Sequence, residues 1–354
     1  MTIQLSQYER ESLIDSLRRL LEGSWPIEGD VDRANDPEAL KQVSAELCDA
    51  GLAELGAPEG PGLGEALLVL EELGRAACPA PLIGTFLANR LLEGSDDPAA
   101  QDFLAAMRAG RAVPAIALGG FDGDRMAGEA SFGNGRLAGS LAFAEGVATA
   151  THLLVLVSAP SGLAIVSLEG EGVEVTATPG LAVPPLSDLR LDCEPEAWIA
   201  SSADRLSEAS QLVRVLTAAR ALGAAQRAFD LALDHAKTRR QFGHVIGEFQ
   251  ALQHKLVDCF SRLDGTRLSL GGAAEAHDRG DEAWLVFADA AIAFAAPALR
   301  QVALEVHHTL GAIGYAEEHE APRHFRRIHA DLVRFGGASR ARASLAGHLL
   351  LPAA

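Results

Sequence analysis

Apolar and polar positions alternate along this chain with three successive rhythms. In YERESLIDSLRRLLEG (8–23), DPEALKQVSAELCDAGLAELG (36–56) and EALLVLEELGRAA (65–77), apolar residues recur at helical spacing. Asp36 before Pro37, with Glu38 behind it, reads as a helix start. Short β-type runs follow: VPAIAL, GRLAGSLAFA, HLLVLVS, GLAIVSL, GVEVTAT and DLRLDCE, punctuated by Gly, Pro, Ser and Asp. The helical period then returns. Leu212, Leu216, Ala219, Leu222, Phe229 and Leu233 define one helix face, and Phe249, Leu252, Leu256, Phe260 and Leu263 define another. A long apolar helix is expected near 283–310, kinked or broken at Pro297. The pattern predicts an α+β, mainly α protein. Its expected parts are an N-terminal helical domain (1–112), a middle β-barrel or sandwich domain (113–202) and a C-terminal helical domain (203–354).

Composition narrows the function. With 354 residues and 48% apolar content, the chain is long and apolar enough for a sizeable core. A formal net charge of −18 argues against nucleic-acid binding, so an anionic ligand would need locally placed cations. Four cysteines without CxxC spacing suggest neither a zinc site nor a disulfide framework. The charged N-terminus lacks a signal-type apolar core, and no run of 18 uninterrupted apolar residues suggests a membrane span. The expected location is cytoplasmic. His319, His324 and His329 are five apart and splay around a helix; they read as surface histidines, and no metal is expected.

The densest chemistry lies in KTRRQFGHVIGEFQ (237–250). A helix is expected to end near Phe242 and Gly243, with Gly243 and Gly247 permitting a tight turn. An arginine there can fork two bonds onto a pyrophosphate, and a neighbouring aromatic can pack on a cofactor. On the same residues, Arg239 and Arg240 can instead complement the helix dipole, with Phe242 in the core.

HAKTRRQFGHVIGEFQALQHKLVD (235–258) resembles the signature segment of the acyl-CoA dehydrogenase family, R-x-x-F-G followed by a short loop and a helix. GLAELGAPEGPGLGEALLVLEELGRA, RVLTAARALGAAQRAFDLALDHA, HHTLGAIGY and RHFRRIHADLVRFGGAS agree with that family in order and spacing. The resemblance implies a helical domain, a β-barrel and a four-helix bundle. It also implies FAD-dependent oxidation of an acyl-CoA to the 2-enoyl-CoA, with a carboxylate taking the α-proton. By the same resemblance Arg239 holds the FAD diphosphate of a neighbouring subunit, with Phe242 and Gln250 flanking it. Gly311 lies in a glycine turn near the adenosine, His308 stands where many relatives have glutamine, and Arg214 is expected at the substrate.

The departures fall on the catalytic half. Relatives place the base just before G-T/A-S, which is Gly336 here, or beside the arginine matched by Arg214, which is Val213. Neither is a carboxylate, so the catalytic residue is unknown. Glu208 lies five residues upstream, roughly 7.5 Å along a helix. The flavin-ring loops read LGGFDGD (118–124) and LAFAEGV (141–147), with Phe143 for a tryptophan and Glu145 for a hydroxyl residue. A clamp without a base resembles the base-lacking subunit of the heterotetrameric acyl-CoA dehydrogenases of bacterial steroid side-chain degradation. That resemblance implies a homologous α2β2 partner bearing the catalytic glutamate. The alternatives are a homo-oligomer with a displaced base such as Glu145 or Glu208, and a non-catalytic acyl-CoA-binding or scaffold protein.

Overall fold

The computed structural model describes residues 5–26, 36–118, 128–178 and 185–350. Five helices come first: α1 (Gln7–Ser24), α2 (Pro37–Asp49), α3 (Leu63–Arg75), α4 (Leu82–Leu92) and α5 (Pro98–Arg108). Asp36 caps α2 as its sequence position suggests, its carboxylate accepting from the Glu38 amide at 3.0 Å.

Eight strands then build one mixed sheet. They are β1 (Pro114–Ala117), β2 (Gly128–Gly133), β3 (Arg136–Glu145), β4 (His152–Ser158), β5 (Ser161–Ser167), β6 (Val173–Ala177), β7 (Leu186–Cys193) and β8 (Ala197–Ala200). The order is β6-β7-β3-β1-β4-β5-β8, with β2 paired to β3; β1 and β4 run parallel and every other pair antiparallel. In β4 and β5 five consecutive residues are buried, so both faces are covered and the apolar runs are continuous. β6 ends the order and is largely exposed, although VEVTA has strong strand propensity.

The C-terminal helices are α6 (Ala203–Thr238), α7 (Gln250–Asp278), α8 (Trp284–Leu310), α9 (Ala321–Val333) and α10 (Gly337–Leu350). Between α6 and α7 the expected helix end is replaced by a two-stranded ribbon, β9 (Arg240–Gln241) and β10 (His244–Val245). α8 runs unbroken through Pro297. Proline there removes one backbone bond without ending a helix packed along its length against α7 and α10. By length and composition α8 would also suffice to cross a membrane; 44% of its most apolar window is buried against its own chain.

Two compact units form. One is drawn from Met1–Glu9, Ala34–Ala66 and Pro79–Arg214, and holds the sheet with α2, α4 and α5. The other is drawn from Arg10–Arg33, Leu67–Cys78 and Val215–Ala354. In this second unit α3 and α6 cross at contact distance. A Cβ on Gly74 would sit 1.9 Å from the Arg220 carbonyl oxygen, and one on Gly223 only 1.7 Å from that of Glu71. Only glycine allows the two backbones to meet so closely.

Buried charge fastens α9 to α6. Arg220 forks onto Asp331 with bonds of 3.0 and 2.6 Å, both side chains sealed from solvent. Arg227 forks onto Glu320 at 3.1 and 2.6 Å, and His324 lies 3.6 Å from the same carboxylate. Burial opposes charge on Glu320, but the His324 and Arg227 interactions outweigh it and hold the carboxyl at about 2 against an ordinary 4.5. His324 is fully buried, and burial lowers its own pKa despite Glu320. These shifts act in the same direction on acidification. The depressed carboxyl stabilises the fold above pH 4.5, and that contribution is lost as pH falls toward 2. The depressed histidine penalises the fold as pH drops below 6.5, where only the unfolded chain takes the proton. Urea midpoints are therefore expected to fall steadily from neutral pH to pH 3. Glu320→Gln should flatten the limb below pH 4.5, whose full size is on the order of 3 kcal/mol. An unchanged limb in that variant would remove Glu320 as its source.

Candidate functional site

The signature segment is a short ribbon standing off the end of α6. α6 ends at Thr238, and the Arg239 amide makes its last helical bond, to the His235 carbonyl at 2.9 Å. Arg240 and Val245 pair across the ribbon, as do Gln241 and His244. Its two-residue turn is Phe242 (φ 53°) and Gly243 (φ 81°), the consecutive left-handed pair that a tight hairpin requires. A phenylalanine at positive φ is strained, and this one is 90% exposed. Its ring meets Phe249 edge-on at 6.4 Å, and His244 meets the same ring at 6.2 Å. Of the two readings left open for Phe242, a place in the core is excluded.

The ribbon is tied back at its far end. The Ile246 amide donates to the Arg239 carbonyl at 2.9 Å, and Gln253 donates to the Gly247 carbonyl at 2.9 Å. A Cβ on Gly247 would lie 2.8 Å from the Ala236 carbonyl oxygen, so the segment hugs α6. Arg239 and Arg240 are exposed, and neither guanidinium makes an ion pair among the described residues. His235, one turn before, has its pKa lowered by burial and by the positive charges of Arg239 and His319. Two uncommitted arginines beside an exposed aromatic ring can receive an anion.

Gln250 opens α7 and is exposed; Phe249 precedes it without a side-chain cap. His308 stands exposed in the last turn of α8, where its Nδ1 lies 3.1 Å from Lys255 Nζ, and Lys255 pairs with Glu305 at 3.0 Å. Lys255 and Glu305 carried no signal in the sequence, since each sits on the polar face of its helix. Gly311 ends α8 at φ 64°, its amide donating to the His307 carbonyl, with open space where a Cβ would be. His307 is buried, with Tyr315 at 5.2 Å and Phe325 at 4.6 Å. His324, read from the sequence as a surface histidine, is buried in the core like His307. Among the described residues no group of three or more His, Cys, Asp or Glu could hold a metal.

The positions expected to hold a base are occupied by other chemistry. Gly336 (φ 80°) lies between Phe335 (φ 55°) and Gly337 (φ 51°), three left-handed residues in a row. A Cβ on Gly336 would be 2.8 Å from Arg340 Cβ, and one on Gly337 would be 2.7 Å from the Leu332 carbonyl oxygen. A side chain at 336 would be strained by the left-handed backbone and would crowd Arg340. Val213 is buried in α6. Arg214 beside it is buried too, donating to Gln211 at 2.6 Å.

In the sheet, Phe143 sits at a bulge in β3 with φ 60°, its amide donating to Asp188 at 3.2 Å, and it is 38% exposed. Glu145 ends β3 opposite Ile116 and Leu186, and Glu208 is half-buried in α6. Apart from Leu118, the segment LGGFDGD lies outside the described residues.

Residues 205–349 match the model of the acyl-CoA dehydrogenase C-terminal domain. Acyl-CoA dehydrogenase IpdE2 of Mycobacterium tuberculosis is 31% identical over 296 residues, covering 80% of this chain and 79% of that one. The chain belongs to the acyl-CoA dehydrogenase family. Members of this family are oxidoreductases acting on CH–CH donors. The fold agrees over its full length with a chain of the ChsE4–ChsE5 complex from Mycobacterium tuberculosis (TM-score 0.84, 22% identity, 100% of both chains). It also agrees with Tcur3481–Tcur3483, a steroid ACAD (TM-score 0.81, 27% identity, 96% of this chain and 98% of that one).

Proposed function

We propose that this acyl-CoA dehydrogenase family chain takes part in FAD-dependent α,β-desaturation of an acyl-CoA thioester as the subunit that completes its partner's FAD site. The reading rests on one contrast. The basic ribbon is exposed with its arginines uncommitted, while position 336 is a glycine where any side chain would be strained and would crowd Arg340. Two-chain relatives of the same fold, ChsE4–ChsE5 and Tcur3481–Tcur3483, support a homologous partner in an α2β2 assembly.

The ribbon's chemistry suits a dinucleotide. Arg239 would hold the diphosphate of the partner's FAD by forked, charge-assisted bonds. Phe242 and Gln250 would flank it, and His308 and Gly311 would line the approach at the end of α8. Gly311, with open space at its Cβ position, lets a ligand come close to backbone. Arg214, buried beside Gln211, would face the substrate. When bound, the flavin supplies the hydride acceptor. The carboxylate that removes the α-proton would come from the partner chain, and no residue of this chain is assigned that role.

The test is the visible spectrum of the protein purified alone and with a base-bearing partner. The expected result is a colourless single chain and about one FAD per pair in the complex, from one clamp per site. A homomer with one FAD per chain that oxidises acyl-CoA would overturn it. Arg239→Ala should cost roughly tenfold or more in FAD retention by the complex, as loss of a charge-assisted bond does, while the subunits still associate. Full retention in that variant would remove Arg239 from the clamp.

A further inference from the structure

Lys255, Glu305 and His308 form a triangle across two helices, near the start of α7 and the end of α8. Lys255 Nζ lies 3.0 Å from one Glu305 carboxylate oxygen and 3.1 Å from His308 Nδ1. The same carboxylate oxygen lies 3.4 Å from Nδ1. Glu305 is the fixed corner. Its other oxygen accepts from Gln301 Nε2 at 3.1 Å, and its side chain is largely covered. Burial opposes charge there, but the bonds from Lys255 and Gln301 outweigh it and hold the carboxyl below its ordinary 4.5.

The triangle decides where the His308 proton sits. A lysine ammonium has three N–H donors and no acceptor. Its contact with Nδ1 at 3.1 Å is therefore a bond that Nδ1 accepts. The neutral ring then carries its proton on Nε2. A proton on Nδ1, aimed at Glu305, would set two donors against each other across that 3.1 Å. Nε2 makes no hydrogen bond among the described residues, and the His308 side chain is 68% exposed. The ring thus offers one N–H to the surroundings, three residues before the open turn at Gly311. The glutamine that the family resemblance places here offers an amide N–H without such a lock. A neutral histidine offers one at Nε2 only in this tautomer.

We propose that Lys255 is a positioning residue, which holds His308 as a neutral Nε2–H donor toward an acceptor atom on the partner's FAD. Lys255 acts through His308, and Glu305 holds Lys255 in place. What the N–H meets rests on the flavin reading above; the tautomer rests on the triangle alone.

The experiment has two readouts. The first is nitrogen NMR of the purified chain with isotope-labelled histidine at about pH 8, the His308 signals being identified by their loss in His308→Gln. The parent should be protonated on Nε2. Lys255→Met should shift the proton toward Nδ1, because Glu305 then faces that nitrogen alone. A parent protonated on Nδ1, or a tautomer indifferent to Lys255→Met, overturns the proposal. The second readout is FAD retention by the complex with a base-bearing partner. Lys255→Met should cost about tenfold, as loss of one hydrogen bond does. His308→Gln should retain FAD, and adding Lys255→Met to it should cost nothing more. An exposed interhelical ion pair contributes little stability, so a merely structural lysine would not show this dependence on residue 308. Equal losses in both backgrounds, or none in either, overturn the proposal. Arg239→Ala separates the two readings. If it releases FAD while Lys255→Met does not, only the role of Lys255 fails; if neither releases FAD, the clamp fails with it. Lys41→Met, at an exposed pair with Glu38, is the control and should leave retention unchanged.

Discussion

Asp331→Ala is expected to destabilise the protein by about 3–5 kcal/mol, the cost of leaving a buried charge without its partner. Asp331 is sealed from solvent and takes both bonds of the Arg220 fork, at 3.0 and 2.6 Å. Removing the carboxylate strands a guanidinium in the interior at the point where α9 meets α6. Arg220→Met should cost a similar amount for the reciprocal reason. The double variant, Arg220→Met with Asp331→Leu, should cost less than either alone, because it removes both charges and refills their volume. Urea unfolding of the four proteins checks the cycle. If the two single losses simply add, the pair is not the fastener that joins these helices.

That fastener illustrates what the sequence conceals. The helix–sheet–helix order was legible, because periods of 3.6 and 2 come straight from which face is buried. Single strands were less so. β2, in GEASFG, is polar and half-exposed, and its pairing with β3 comes from register rather than composition. β8, in AWIA, is too short to show a period. Phe260 follows the α7 apolar stripe in sequence, yet it is 59% exposed, while Leu256 and Leu263 of the same stripe are buried. A stripe shows that a helix has a face, not how far its covering extends. His324, read from sequence as a surface histidine, is fully buried, because α9 turns it inward to within 3.6 Å of the Glu320 carboxylate. In the ribbon, sequence marked a turn at Phe242–Gly243 but assigned it to a helix end. The Arg240–Gln241 and His244–Val245 strands are two residues each, below anything a period can reveal.

Gly336→Glu tests the most consequential departure, because it restores a carboxylate where relatives of this family resemblance carry their base. It is expected to fail as a rescue. The backbone at 336 is left-handed (φ 80°), and any Cβ there would lie 2.8 Å from Arg340 Cβ. Gly336→Ala isolates the steric part and should cost roughly 1–3 kcal/mol, as a non-glycine residue in a left-handed conformation does. The glutamate adds the bulk of its longer side chain to that loss. Thermal unfolding measures both, and an artificial electron acceptor reports any acyl-CoA oxidation by the chain alone. A Gly336→Glu protein as stable as its parent, turning over without a partner, would show that the loop yields. The missing base would then be a single substitution. The expected pair of results, lost stability and no turnover, would instead mean that backbone conformation, and not only residue identity, separates this chain from a catalytic one. In that case a base can come only from another position or from another chain.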